Sequence, residues 1–195
     1  MYSEGSNASQ NAESPGAGAS CRNEKLNREN QRSVSYNDTW QRREKRRGEN
    51  MKIFTIGFTK KTARTFFTKL RQSGADRIVD IRLNNVSQLA GFTKKDDLEF
   101  FLKEICGMDY THVTELAPTQ GIMDEFKKNR GDWSTFEKQF ISLITDRQVE
   151  KKVPREIIDN GCLLCSEDKP DNCHRRLVAE YLKKHRQDVE IIHIV

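Results

Sequence analysis

Five short runs rich in β-branched and aromatic residues, set apart by stretches of helical spacing, constrain this chain more than any other feature. The runs are "KIFTIG" (52–57), "RIVDIRL" (77–83), "YTHVTEL" (110–116), "CLLCS" (162–166) and "VEIIHIV" (189–195). Each has the length and composition of a strand. Between the first two, Ala63, Phe66, Phe67 and Leu70 recur at i, i+3, i+4 and i+7, and Gly74 closes the helix. Thr93 is the expected cap of a second helix, with Leu98, Phe101, Leu102 and Ile105 inward and Gly107 as its stop. After Pro118 a short helix fits 121–129. Asp132 caps a longer one carrying Trp133, Phe136, Phe140 and Ile144, which read as core. A further short helix fits 154–160, between Pro154 and Gly161. Residues 172–185 form an amphipathic helix with Leu177, Val178, Tyr181 and Leu182 inward.

Strands that alternate with helices pair in parallel, because each crossover must return over a face of the sheet. The expected fold is therefore a single compact α/β, Rossmann-like domain: a mostly parallel sheet of about five strands with helices on both faces. It occupies residues 51–195.

Residues 1–50 follow another rule. Tyr2, Leu26, Val34, Tyr36 and Trp40 are scattered among polar residues, and "QRREKRRGEN" is a charge cluster. Such a segment cannot bury enough apolar surface to offset its ordering entropy. Two readings are open. It is a disordered extension, or a misassigned translation start with Met51 as the true first residue, since Arg46 to Asn50 can be written in purine-rich codons resembling a ribosome-binding site.

The whole chain carries 34 Lys/Arg and 29 Asp/Glu, the first fifty residues nine and seven, so residues 51–195 keep a net charge of only +3. That is no strong nucleic-acid footprint. No apolar run approaches the ~20 residues of a membrane helix. The N-terminus lacks the apolar core of a secretory signal. Five cysteines, one of them in the tail, do not make a secreted disulfide framework. A cytoplasmic protein with reduced thiols is expected.

In open parallel sheets ligands bind beyond the carboxyl ends of the strands. Applied here, the rule gathers Gly57 and Thr59 after the first strand, and Asp80, Arg82, Asn84 and Gln88 around the second. It adds Glu115 after the third, Cys165 and Glu167 after the fourth, and Cys173, His174 and Arg175 at the next helix start, with Asp171 or Asn172 as its cap. Cys165 or Cys173 is the candidate nucleophile, and His174, Glu167 and Asp80 are the acid/base candidates. Gly57, Thr59, Arg82, Asn84, Gln88 and Arg175 are the substrate-binding candidates, the arginines for an anion.

Cys162-x-x-Cys165 has zinc spacing, with Cys173 and His174 as completing ligands. Strand positions three apart face opposite sides, however, and neighbours on a helix diverge. No metal or other cofactor is expected. A Cys165–Cys173 disulfide stays geometrically open.

"IFTIGF", "DIRLNN", "SQLAGF" and "LLCSEDKPDNCHRRLVAEYL" together resemble the widespread microbial family called domain of unknown function 488, over essentially all of 51–195. Its C-x-E…C-H-R signature falls on Cys165, Glu167, Cys173, His174 and Arg175, its D-x-R element on Asp80 and Arg82, its glycine on Gly57. The resemblance implies a compact α/β domain with a site at these positions and carries no established reaction. Many members have histidine and serine after the glycine, where this chain has Phe58 and Thr59. A role for that histidine does not transfer.

The resulting expectation is a small enzyme acting on an anionic substrate, nucleotide- or nucleic-acid-derived among the candidates. The alternatives are a non-catalytic nucleotide or nucleic-acid binding module and a thiol-redox or metal-responsive protein.

Overall fold

The computed structural model describes residues 50–86, 90–186 and 188–195. The readings of residues 1–50 therefore fall, but for Asn50, outside the described residues, and so does Gln88.

The strands are β1 (Met51–Gly57), β2 (Arg77–Asp80), β3 (Asp109–His112), β4 (Gly161–Cys165) and β5 (Val189–Ile194). They form one parallel sheet of order β3-β2-β4-β1-β5. The helices are α1 (Ala63–Ser73), α2 (Lys95–Phe101), α3 (Gln120–Lys128), α4 (Trp133–Asp146), α5 (Val149–Lys152), α6 (Arg155–Ile158) and α7 (His174–His185). The expected Rossmann-like architecture is thus the observed one. Among the described residues no helix is long and apolar enough to cross a membrane.

The two faces divide by crossover direction. Phe66, Phe67 and Leu70 of α1 and Leu98 of α2 pack with Phe54, Ile56, Ile78 and Leu164 on one face. Phe136 and Phe140 of α4 and Leu177, Val178 and Leu182 of α7 pack with Ile53, Val79 and Leu163 on the other. The chain runs toward the β3 edge under α1 and α2 and back under α4 and α7, as a single crossover hand requires. β4, between β2 and β1, is buried along its whole length. This accounts for the uninterrupted apolar run of a central parallel strand.

Several element ends differ from expectation. β2 stops at Asp80, because Arg82 turns back to bond its carboxylate. β3 ends at His112, and Thr114–Leu116 winds into a 3-10 turn that leaves Glu115 exposed. Thr93 lies in the 3-10 turn Gly91–Thr93, one residue before the actual cap Lys94. α2 widens into a π turn over Leu102–Cys106, which leaves Ile105 exposed rather than inward.

Candidate functional site

The loops after β2 and β4 leave the sheet toward opposite faces, and adjacent strands of that kind open a crevice at their carboxyl ends. A cavity of about 520 Å³ lies there. Arg82, Asn84, Cys165, Glu167, Cys173 and His174 line it, all of them residues gathered by the sheet-edge rule.

Cys165 ends β4 with its side chain buried on the α4/α7 face. Its Sγ lies 3.4 Å from His174 Nδ1. His174 is the first residue of α7, and its Nε2 lies 2.9 Å from the Ile81 carbonyl oxygen. A carbonyl only accepts, so Nε2 carries the proton and Nδ1 presents its lone pair to the thiol. Phe140 packs edge-on against the imidazole, ring centres 5.5 Å apart, and fixes its plane.

Cys173 is the cap residue of α7, in place of the expected Asp171 or Asn172. Its backbone is extended (φ −142°, ψ 135°), so helical divergence from His174 does not apply. The ligating atoms of Cys165, Cys173 and His174 all lie within 4.8 Å of one another. Cys162 faces the opposite core, as strand alternation predicts.

The Cys165 thiol is held below its ordinary range. The hydrogen bond from Cys173 is the largest cause, the Glu167 and Ser166 backbone N–H groups and the Arg175 charge add to it, and burial opposes it. Cys173 is pushed far up by the same hydrogen bond, by burial and by the charge on Cys165. Burial raises Cys162 as well. Cys165 is therefore the thiol poised to ionise.

The residues that shape this loop lie behind the cavity wall. The backbone N and Oγ1 of Thr59 both donate to the Ser166 carbonyl, at 3.0 and 2.6 Å. A trans peptide is planar, with its N–H opposite its carbonyl, so this pull turns the Glu167 N–H toward Cys165. Arg175, almost completely buried, donates through Nη1 to the Glu167 carbonyl (2.5 Å) and to Cys173 Sγ (3.2 Å), and through Nη2 to the Asp168 carbonyl (2.9 Å). Lys61 Nζ holds Asp168 at 2.5 Å. Gly57 lies so close beneath that a Cβ there would stand 1.6 Å from the Glu167 carbonyl oxygen. Thr59→Val keeps the backbone bond and loses the hydroxyl bond, so a loss of about 1 kcal/mol in urea unfolding is expected.

Asp80 and Arg82 form a second buried group. Arg82 Nε and Nη2 reach Asp80 Oδ1 and Oδ2 at 2.8 and 2.6 Å, and Nη2 also donates to the Thr93 carbonyl at 2.8 Å. Tyr110 donates its phenol to Asp80 Oδ2 (2.8 Å), and His112 Nε2 donates to the Arg82 carbonyl (2.8 Å). The Phe58 ring lies under the guanidinium at 5.4 Å. Burial, with the neighbouring Asp80 charge, pushes the Tyr110 phenol well up and keeps it a donor.

Of the expected site residues, Gly57, Thr59, Asp80 and Arg175 are placed behind the cavity, where they brace its wall. A set that helical spacing makes core, or leaves unmarked, also lines the cavity: Gln120, Met123, Phe126 and Lys127 of α3, and Trp133 and Phe136 of α4. Trp133 and Phe136 stack at 5.1 Å. The signal for them was topological: α3 and α4 follow β3, and so begin at the same sheet edge.

A family model described as domain of unknown function DUF488 matches residues 62–182. The matched span takes in Asp80, Arg82 and the Cys165 to Arg175 signature and leaves out Gly57 and Thr59, so it is shorter than the resemblance suggested. No curated protein and no solved structure matches the chain.

Proposed function

Since the chain belongs to the family described as domain of unknown function DUF488, a description that assigns no reaction, we propose from the site itself a small enzyme that uses Cys165 as a nucleophile on an anionic substrate at the carboxyl edge of the sheet. The observation that carries this reading is the Cys165–His174 contact, with the free lone pair of the imidazole turned to the thiol. A nucleophile beside a base that a third group orients is the general form of covalent catalysis. His174 takes the thiol proton, and the Ser166 and Glu167 N–H groups steady the thiolate. Glu167, exposed at the cavity, is the group placed to pass a proton to solvent or leaving group. Lys127, exposed at the cavity, brings positive charge for an anion, while the Arg82 charge is taken up by Asp80. Trp133 and Phe136, stacked on each other, add an aromatic surface to the same cavity, with Phe126 edge-on beside Phe136. A planar ring carrying an acidic group, such as a nucleobase with its phosphate, has the matching chemistry.

Alkylation of the full chain with iodoacetamide, followed across pH by peptide mass spectrometry, tests the nucleophile. Cys165 is expected to react with a midpoint below the ~8.5 of a free thiol, while Cys106, whose thiol burial raises to about 11, stays slow. A Cys165 no faster than a model thiol near neutrality defeats the proposal. A thermal-shift panel of nucleoside monophosphates, simple phosphate esters and uncharged nucleosides then reads the substrate class, with the phosphorylated nucleosides expected to stabilise most.

A further inference from the structure

Nucleophilic catalysis by Cys165 leaves the second sulfur of the site without a chemical role. Cys173 donates a hydrogen bond to Cys165, which a serine would do as well. Yet the two sulfurs lie within 4.8 Å of each other at the wall of one cavity, both as free thiols. One ends a strand and the other precedes a helix, so neither thiol sits inside a ladder or a helical turn that would have to break for the sulfurs to close. A disulfide needs them about 2 Å apart. Once Cys165 is a sulfenic acid, the negative charge that holds the Cys173 proton is gone, and Arg175 Nη1, 3.2 Å from Cys173 Sγ, favours the Cys173 thiolate.

We propose that a hydroperoxide entering the cavity oxidises Cys165, and that Cys173 then closes on it as a Cys165–Cys173 disulfide. The Cys165 thiolate attacks the terminal peroxide oxygen, a sulfur–oxygen bond forms and the oxygen–oxygen bond breaks. The displaced oxygen leaves as water or an alcohol, taking its proton from the His174 imidazolium. Cys173 then attacks the sulfenic sulfur of Cys165, the sulfur–sulfur bond forms, and hydroxide leaves as water with the Cys173 proton. Two thiols lose two electrons and the peroxide gains them. A small thiol in solution returns the pair to the reduced state. The step protects the nucleophile, because a sulfenic acid captured as a disulfide cannot oxidise further to the irreversible acids.

The inference rests on the same Cys165 thiolate as the proposed function, and the test separates the two. The full chain is treated with hydrogen peroxide in slight excess, blocked with N-ethylmaleimide under denaturing conditions, and cut after Glu167 with a glutamate-specific protease. Wild type is expected to lose two alkylation sites and to yield peptides on either side of Glu167 joined by a bond that dithiothreitol opens. Cys173→Ser is expected to form no joined peptide and to give a dimedone adduct at Cys165. Cys162→Ser is expected to behave as wild type. Thiols that both remain alkylatable after peroxide, or a stoichiometric zinc ion held by both sulfurs in the purified protein, would overturn the inference. Fast alkylation without the disulfide defeats this inference alone, and the disulfide with slow alkylation defeats the nucleophile reading alone.

Discussion

Asp80→Asn is expected to destabilise the protein by about 3–5 kcal/mol, the cost of stranding one member of a buried ion pair. Asp80 is fully buried, and the Arg82 guanidinium beside it is only 4% exposed. Two nitrogens of that guanidinium and the Tyr110 hydroxyl all donate to the Asp80 carboxylate. An amide offers one acceptor oxygen and turns its N–H₂ against the other donors, so it removes the charge and a hydrogen bond at once. The measurement is urea unfolding of the single and double variants. Asp80→Asn with Arg82→Met is expected to lose less than the sum of the two single changes, because the second removes the charge the first strands. Additive losses would mean that the pair is not coupled. The cavity suffers along with the fold, since Arg82 lines it and its backbone N–H is anchored on the Asp80 carboxylate.

Gly57→Ala is expected to cost about 1–3 kcal/mol, as overpacking does, and to erase the low-pH reactivity of Cys165. Gly57 does not have a positive φ, so alanine suits its backbone and the whole effect comes from space. The added carbon would meet the Glu167 carbonyl at 1.6 Å and Arg175 Nη1 at 2.9 Å, on a loop that Thr59, Lys61 and Arg175 hold in place. The loop must lift, and the N–H groups that favour the thiolate move with it. Loss of one unit of pKa depression slows alkylation near neutrality on the order of tenfold. Gly74→Ala is the contrasting change. There the space is open but φ is +81°, so stability falls by about 1 kcal/mol and Cys165 keeps its reactivity. If Gly57→Ala leaves the alkylation profile untouched, the loop does not set the thiol's ionisation.

The strands were legible because a parallel sheet covered on both faces demands apolar runs, and β1 and β4 are such runs. The sheet-edge rule then found six residues of the cavity wall from a strand order not yet known. It placed Arg175 among the ligand binders because an arginine at a helix start looks exposed in one dimension. Its burial follows from loop carbonyls that need donors, and those carbonyls come from the path of residues 166–168 over Gly57, which no local pattern encodes. Helical spacing alone makes Cys173 and His174 diverging neighbours. The helix begins one residue later, and an extended cap residue restores their convergence on Cys165. Trp133 and Phe136 show the opposite gap. Helical spacing gives the face they share, and only tertiary packing decides that part of that face borders a cavity rather than a strand.

His174 and Cys165 belong to the β4 side of the site, but the carbonyl that orients the imidazole belongs to Ile81, on the chain leaving β2. Ile81 N also bonds the Leu164 carbonyl at 3.3 Å, so the two strands are stitched together one residue before the thiol. If β2 comes away, or pairs out of register, Nε2 loses its acceptor and the lone pair facing the sulfur is no longer assured. The alkylation rate of one cysteine thus becomes a gauge of strand pairing at the centre of the sheet. It would read local opening in denaturant or with rising temperature, below the point where any spectroscopic probe of global unfolding responds.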